Sequence, residues 1–358
     1  MFQSLNKRLK RIGWLAWFVR VPVWFFLFEV NSAASIALHE SGHALRDKAF
    51  GFDYELGGVG RKLEKNIFAY YAKKMAFQGG FDGFCKRIIL ERNKNKKISV
   101  IDYYDQNIII SAGGLNNQML LSENIGYDMY VRKQYNSLLW AIYLYLKIYP
   151  VDYERRAKDD NLSFDPTAII TAFNEKGRKD FKRGTIGTAS LISTFLSATT
   201  YSIFTGKPIC IAGFRVPNVY TYITTRGMSY KVVSGYEFGK DKYINFGCES
   251  VFGKESALEV FVGIDRIDKL SLPVHLPEMP IHYKCTATFG LSLGIEGSIT
   301  VPLSSWLSVG IGCEYYHFSS LQGQRSITRN VVNVDKTSVS INKKSTSANI
   351  FCFVSYRY

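Results

Sequence analysis

The sequence predicts an α+β fold, in which an N-terminal helical domain is followed by an antiparallel eight-stranded membrane β-barrel. Two observations lead to this prediction. Apolar segments of helical character occupy the chain up to about residue 210, whereas apolar and polar residues alternate after about residue 216, as they do in strands. Aromatic residues are abundant as well, with 23 Tyr and 25 Phe among 358 residues, and membrane β-barrels carry aromatic girdles. The predicted domains are 1–34, 35–210 and 216–358.

The first 34 residues are typical of a signal peptide or a membrane anchor. A basic cluster at 7–11 precedes an apolar, tryptophan-rich run at 14–30. The small residues at 32–34 form a candidate cleavage site, but cleavage there would leave His39 only one helical turn from a new N-terminus. Targeting to a bacterial cell envelope is therefore expected, and cleavage is left open.

The segment His39-Glu40-Ser41-Gly42-His43 predicts a metal site. Two histidines four residues apart lie on the same side of a helix and can bind one Zn²⁺, and the intervening glutamate can accept a proton from a water on that ion. The small and apolar residues around the motif favour a buried helix. An ordinary amphipathic helix with incidental histidines is the alternative interpretation.

A second motif follows at Ala112–Asn117, after the apolar run 108–110. Site-2-protease-like intramembrane metalloproteases pair an H-E-x-G-H helix with a later A-G-P-x-x-N segment, and the chain resembles them at both places. Gly114 replaces the proline of the second segment. The resemblance implies a helical zinc-peptidase-like domain over 35–210, with Asn117 as a polar residue of the active site.

The third zinc ligand has three candidates. In the family that the chain resembles, an aspartate of an L-D-G segment serves, and the nearest counterpart is Asp165, which lacks both neighbours. Because Pro166 follows it, Asp165 is also a good helix N-cap. Asp160 and Glu123 remain alternatives, since a catalytic zinc needs three protein ligands and an open fourth position.

Two further apolar segments lie in the helical domain. Residues 137–148 are too few to cross a bilayer, which takes about 20 residues. Residues 186–204 are uncharged and about long enough, but rich in Ser and Thr. This second segment therefore predicts either a buried core helix or a transmembrane helix.

The C-terminal third predicts eight strands with one apolar face. The segments are 218–225, 228–238, 242–252, 257–265, 281–293, 295–302, 306–317 and 347–358. Charged residues on the other face would form an internal network, made of Glu237, Glu249, Glu259, Lys284, Glu296, Glu314 and Arg357. Cysteines 248, 285, 313 and 352 fall on the apolar face, where we expect lipid. The terminal Tyr358 resembles the assembly signal of bacterial outer-membrane barrels, and a soluble sandwich is the alternative.

Net charge and cysteine spacing argue against two kinds of site, a nucleic-acid interface and a cysteine-bound metal. The formal charge is +15, but the basic residues lie in scattered clusters, so we expect no nucleic-acid partner. Attraction to anionic lipid explains the charge more simply. The six cysteines contain no C-x-x-C pair and so predict no cysteine metal site.

These patterns together predict a zinc-dependent peptidase of the bacterial cell envelope. His39 and His43 would bind Zn²⁺, Glu40 would act as general base, and Asn117 would steady the oxyanion or the substrate backbone. The expected partners are a lipid bilayer and a peptide or protein substrate, with the outer membrane favoured over the inner membrane. The alternative is a non-enzymatic outer-membrane β-barrel with a structural or adhesive role, and the position of the third ligand separates the two.

Overall fold

The structure is a computed structural model that describes most of the chain from residue 35 onward. The described residues are 18, 35–47, 50, 52–58, 83–88, 103–133, 135–157, 164–270, 279–291, 293–303, 307–317, 321 and 346–356. The predicted signal peptide or anchor, with its candidate cleavage site, lies outside the described residues apart from Phe18. Asp160, Arg357 and Tyr358 lie outside them as well.

The chain divides into two compact units. The first comprises Met1–Ile209 and Asn218–Tyr230, and the second comprises Cys210–Pro217 and Lys231–Tyr358. The first unit is mainly helical and the second consists of strands, so an α+β fold with helices before strands is confirmed.

Among the residues that the structure describes, the first unit contains seven α-helices and a two-stranded antiparallel sheet. The helices are α1 (35–47), α2 (Tyr103–Ser111), α3 (Gly113–Val131), α4 (Ser137–Arg156), α5 (Asp165–Glu175), α6 (Thr185–Phe195) and α7 (Ser202–Thr205). A 3-10 turn, Ala198–Tyr201, precedes α7. Strands β1 (Asp53–Gly58) and β2 (Gly83–Ile88) pair antiparallel, with Asp53 opposite Ile88.

Side-chain contacts position the helices that carry the predicted site. Ile108 of α2, Leu115 of α3 and Phe173 of α5 are buried in one apolar cluster, and the Phe173 ring stacks on Phe181 with 4.2 Å between centroids. Burying side chains of this size contributes roughly 1.5–3 kcal/mol each. This cluster therefore fixes α5 relative to α2 and α3.

Helix α4 is held by a buried lysine. Lys147 Nζ donates hydrogen bonds to Ser193 O (2.9 Å), Ser197 Oγ (2.7 Å) and Val219 O. Burial lowers the pKa of this amine, while the charge of Glu123 opposes that shift. Three acceptors around one ammonium group compensate for part of the cost of burying it.

The sequence predicted no membrane crossing by 137–148 and left the question open for 186–204. Among the described helices, none combines the length and the apolar composition needed to span a membrane.

The eight predicted strands are confirmed as one antiparallel sheet. They are β4 (Phe214–Thr224), β5 (Gly227–Gly239), β6 (Lys242–Val251), β7 (Ala257–Leu270), β8 (Met279–Phe289), β9 (Gly294–Pro302), β10 (Leu307–His317) and β11 (Thr346–Tyr356). A two-residue strand, β3 (Cys210–Ile211), pairs with the beginning of β4.

The predicted closure of this sheet into a barrel is corrected. The order is β11-β10-β9-β8-β7-β6-β5-β4-β3, so β11 and β3 are the two edges of the described sheet. Closure requires the first and last strands to pair along their length. Beyond β4, the next strand in the sheet is β3, which is only two residues long, and not β11.

The two faces of the sheet differ in chemistry as the alternation predicts. Glu249, Glu259, Glu296 and Glu314 are buried on one face. Glu237 and Lys284 of the predicted network are half-buried. Cys285 and Cys313 are exposed on the other face, and Cys248 is half-buried there.

Candidate metal centre

Three side chains from two helices meet at one point in the first unit. His39 and His43 lie one turn apart on α1, with 4.9 Å between their ring centroids. Their Nε2 atoms lie 2.7 Å and 3.0 Å from the same atom, Oδ2 of Asp165, at the first turn of α5. One ligand atom from each residue can be chosen so that all lie within 4.8 Å of one another. These distances suit a site for one metal ion.

The opposite nitrogen of each imidazole is also engaged. His39 Nδ1 lies 3.1 Å from Oε1 of Gln118, and His43 Nδ1 lies 2.8 Å from the carbonyl oxygen of Ile110. Both partners are acceptors, so both Nδ1 atoms carry hydrogen and, in the neutral rings, both Nε2 atoms present a lone pair to Asp165. Metal-binding histidines have this arrangement.

The orientation of the Gln118 amide follows from its second contact. Its Nε2 donates to the carbonyl oxygen of Ser35 at 3.3 Å and to Ser35 Oγ at 2.6 Å. A carbonyl oxygen can only accept, so the nitrogen of the amide must face Ser35 and its oxygen must face His39. Gln118 is fully buried, which keeps water from competing for these bonds.

Glycines allow α1 to approach α3 closely. A Cβ on Gly113 would lie 2.6 Å from the carbonyl oxygen of Gly42, and a Cβ on Gly42 would overlap the carbonyl oxygen of Gly113. A Cβ on Gly114 would overlap the ring of His39. The glycine that replaces proline in the second motif therefore leaves the space that the His39 ring occupies.

Arg46 strengthens the same crossing. Its Nη1 donates to the carbonyl oxygens of Gly42 (2.9 Å) and Gly113 (3.1 Å). Burial lowers the pKa of this guanidinium to about 9. The contact links the last turn of α1 to the first turn of α3.

Two tyrosines of α4 complete the surroundings of Asp165. Tyr153 donates its hydroxyl hydrogen to Asp165 Oδ2 over 3.3 Å, and its ring contacts His39 edge-on, as does the ring of Tyr149. Burial raises the pKa of both phenols, and the charge of Asp165 raises them further. Both hydroxyls therefore remain donors at neutral pH.

The electrostatics of the site favour a positive charge between the histidines and Asp165. Burial by itself lowers the pKa of His43, but the charge and hydrogen bond of Asp165, with smaller effects of Glu40 and the Ile110 carbonyl, raise it to about 9. Burial alone would raise the pKa of Asp165, yet the two histidines hold it below its usual range. A proton or a metal cation satisfies this preference.

Glu40 lies beside the cluster. It is buried, and its charge contributes to raising the pKa values of His43, Tyr149 and Tyr153. A carboxylate in electrostatic contact with the histidines, but outside the group of three, is suited to accept a proton there.

The remaining predicted residues are placed differently. Asn117 donates through Nδ2 to Leu38 O (3.1 Å) and Ser41 Oγ (3.4 Å), so it contacts α1 beside the histidines. Glu123 accepts a hydrogen bond from the Tyr222 hydroxyl and is outside the cluster. Of the two candidate ligands that the structure describes, Asp165 is thus the one that meets the histidines.

Asp165 is not the N-cap that the sequence favoured as an alternative. Helix α5 has Phe164 as its N-cap residue and begins at Asp165, with proline in its first turn. The Asp165 carboxylate points to the histidines and makes no capping hydrogen bond.

Sequence reasoning missed Gln118, Tyr149 and Tyr153. Gln118 lies four residues after Gly114, and the two tyrosines are also four residues apart, so each pair shares one side of its helix. This four-residue spacing was the signal in the sequence that could have identified them.

Comparisons with protein-family models, with curated proteins and with solved structures found no match for this chain.

Proposed function

We propose that this protein is a zinc-dependent peptidase in which His39, His43 and Asp165 bind Zn²⁺. The convergence of both Nε2 atoms on one carboxylate oxygen, with both Nδ1 atoms donating to acceptors, is the observation that supports the proposal most strongly. Two neutral imidazoles and one carboxylate are ligands that zinc accepts, and three protein ligands leave a fourth position for water or substrate.

The chemistry then divides among groups of the chain. Bound zinc would polarise a substrate carbonyl and lower the pKa of a water to about 7. Glu40 would accept a proton from the attacking water and donate it to the leaving amine. Asn117 Nδ2 is already engaged by Leu38 and Ser41, so its Oδ1 is the atom we assign to the substrate backbone. The Tyr153 hydroxyl donates to Asp165 and so would orient that ligand.

The choice of peptide bonds rests on a resemblance. The H-E-x-G-H form of 39–43 and the later 112–117 segment resemble site-2-protease-like metalloproteases, which cleave peptide bonds. We further propose the bacterial cell envelope as the location, with the outer membrane favoured, since the N-terminal sequence resembles a targeting segment.

Hydrolysis of fluorescently labelled casein by the detergent-purified, zinc-loaded protein tests this function. Wild type and Glu175→Gln, which changes an exposed carboxylate, are expected to release labelled peptides at the same rate. Glu40→Gln is expected to bind zinc and to lose at least about 100-fold in rate, as loss of a general base does. Equal rates in Glu40→Gln and wild type, or no hydrolysis by fully zinc-loaded wild type, would overturn the proposal.

A non-enzymatic role in the outer membrane is the second candidate. The exposed apolar face of the sheet favours this candidate, because an apolar surface can bind lipid or protein without any catalytic site. A protein that binds zinc fully and cleaves no casein supports this candidate.

A further inference from the structure

The second unit contains a sheet whose outward apolar residues form continuous rows. Strand register aligns them across five strands, β6 to β10. One row is Ile244, Ile264, Cys285, Gly297 and Cys313. The next is Phe246, Val262, Ala287, Ile295 and Tyr315. None of these residues is charged.

Large side chains of this face are exposed. On β7, Leu258 is 56%, Val260 45%, Val262 45% and Ile264 58% exposed. Ile295 and Ile299 of β9 and Ile311 of β10 are similarly exposed. A contiguous apolar surface of this extent marks a binding surface.

The opposite face buries carboxylates. Glu249 lies directly across from Glu259, and Glu296 lies across from Glu314, and all four are almost fully buried. Asp265 is buried between Asn245 and His282, which both hydrogen-bond to it. A sheet in water normally buries its apolar face and exposes its charges. In this sheet the apolar face is exposed and the carboxylates are buried.

We propose that the outward apolar face of β6–β10 contacts the acyl chains of a lipid bilayer. Strands β4 to β11 are 9 to 14 residues long, whereas a strand crosses the hydrocarbon layer in about 9–11 residues. Strands of ordinary globular proteins average about 5–6 residues. The strand lengths are those of membrane strands, and the reversed faces fit hydrocarbon against the outward side of the sheet.

Charge and shape agree with lipid as the occupant. The row next to the two uncharged rows begins with the cross-strand pair Lys242 and Arg266, which would lie at the level of anionic headgroups. A groove of about 710 Å³ runs over this face, with Cys285, Gly297 and Cys313 among the small residues that line it. A lipid chain fits a shallow apolar groove of this kind better than water does.

Native cysteines of the apolar face provide the labelling positions for a test. A nitroxide label is attached to Cys285 or to Cys313, with the other cysteines replaced by alanine, and the protein is reconstituted in vesicles of phosphatidylcholine and phosphatidylglycerol. The control label is at Lys240→Cys, in the exposed turn between β5 and β6. The measurement is the collision rate of each label with oxygen and with a water-soluble nickel chelate.

At Cys285 and Cys313 we expect collisions with oxygen to exceed those with nickel several-fold, and the reverse at residue 240. Equal access of the nickel chelate to all three positions would overturn the proposal. Shielding from both reagents in detergent-free buffer, together with a doubled molecular mass, would also overturn it, because a second copy would then cover the face. These readouts do not depend on peptidase activity.

Discussion

At the scale of single residues, the hydrogen bond on the far side of each imidazole determines what its near side can bind. Gln118 and the carbonyl of Ile110 hold hydrogen on Nδ1, so Nε2 of each ring faces Asp165 as an acceptor. Two lone pairs and a carboxylate oxygen within 3.0 Å repel one another unless a cation lies among them. The local chemistry therefore requires a proton or a metal.

Gln118→Leu is expected to lower zinc affinity about 10–100-fold, the usual effect of losing the group that orients a metal-binding histidine. Leucine has a similar size but cannot accept the Nδ1 hydrogen of His39. Competition with a fluorescent zinc chelator measures the affinity. Gln106→Leu, the same change at a buried glutamine of α2, is the control and should leave zinc affinity unchanged. Unchanged affinity in Gln118→Leu would show that Gln118 does not orient His39.

The raised pKa of His43 predicts a pH dependence of stability in metal-free protein. Its pKa rises from 6.5 to about 9 on folding, so its protonation stabilises the fold fully below pH 6.5 and loses that effect as pH rises through 9. The free energy of unfolding should fall by an amount on the order of 3 kcal/mol across this interval. Urea unfolding in EDTA at a series of pH values measures it.

His43→Gln is the reference for this dependence, since other groups titrate at high pH. The difference in unfolding free energy between wild type and His43→Gln should shrink as pH rises from 6.5 to 9. A difference that stays constant would mean that Asp165 does not interact with a charged His43.

The sequence predicted the metal-binding residues better than the residues that hydrogen-bond to them. His39, His43 and Glu40 could be read from spacing, because four residues make one helical turn. Asp165 remained one of three candidates, since its approach to α1 depends on packing between helices that are distant in sequence. Gln118 and Tyr153 escaped notice for the same reason: each acts through a contact across helices.

At the scale of elements, the crossing of α1 and α3 positions the histidines. Gly42 and Gly113 let the two backbones approach, and Arg46 bonds to the carbonyl oxygen of both. The motif glycines were visible in the sequence, but only the structure shows that they face each other. The strands, by contrast, were predicted within a few residues, because a two-residue period persists along each of them.

Gly42→Ala is expected to destabilise the protein by about 1–3 kcal/mol, the usual cost of forcing a methyl group into a filled space. The added Cβ would overlap the carbonyl oxygen of Gly113, and backbone cannot rotate away as a side chain can. Chemical denaturation measures the change. Gly239→Ala should alter stability by no more than about 0.5 kcal/mol, since its nearest neighbour would be 3.8 Å away. Equal stability of the two variants would contradict close packing of α1 on α3.

At the scale of the whole molecule, the two units have different chemistry. The first unit buries two histidines among helices, beside the half-buried carboxylate of Asp165 and two half-buried phenols. The second exposes apolar side chains and buries carboxylates. The alternation of the sequence predicted the reversed faces. Which strands form the edges of the described sheet, β3 and β11, depends on pairing between strands, and the pattern within one strand does not contain that information.

Zinc content of the purified protein is the most direct test of the central claim, that His39, His43 and Asp165 bind a metal. Elemental analysis should find about one zinc per chain in wild type, in Glu40→Gln and in Asp152→Asn, a control at an exposed aspartate of α4. His39→Ala and Asp165→Asn should lose it while keeping the helical circular dichroism of wild type. Absence of zinc from wild type after zinc loading, or equal zinc in Asp165→Asn, would contradict the account.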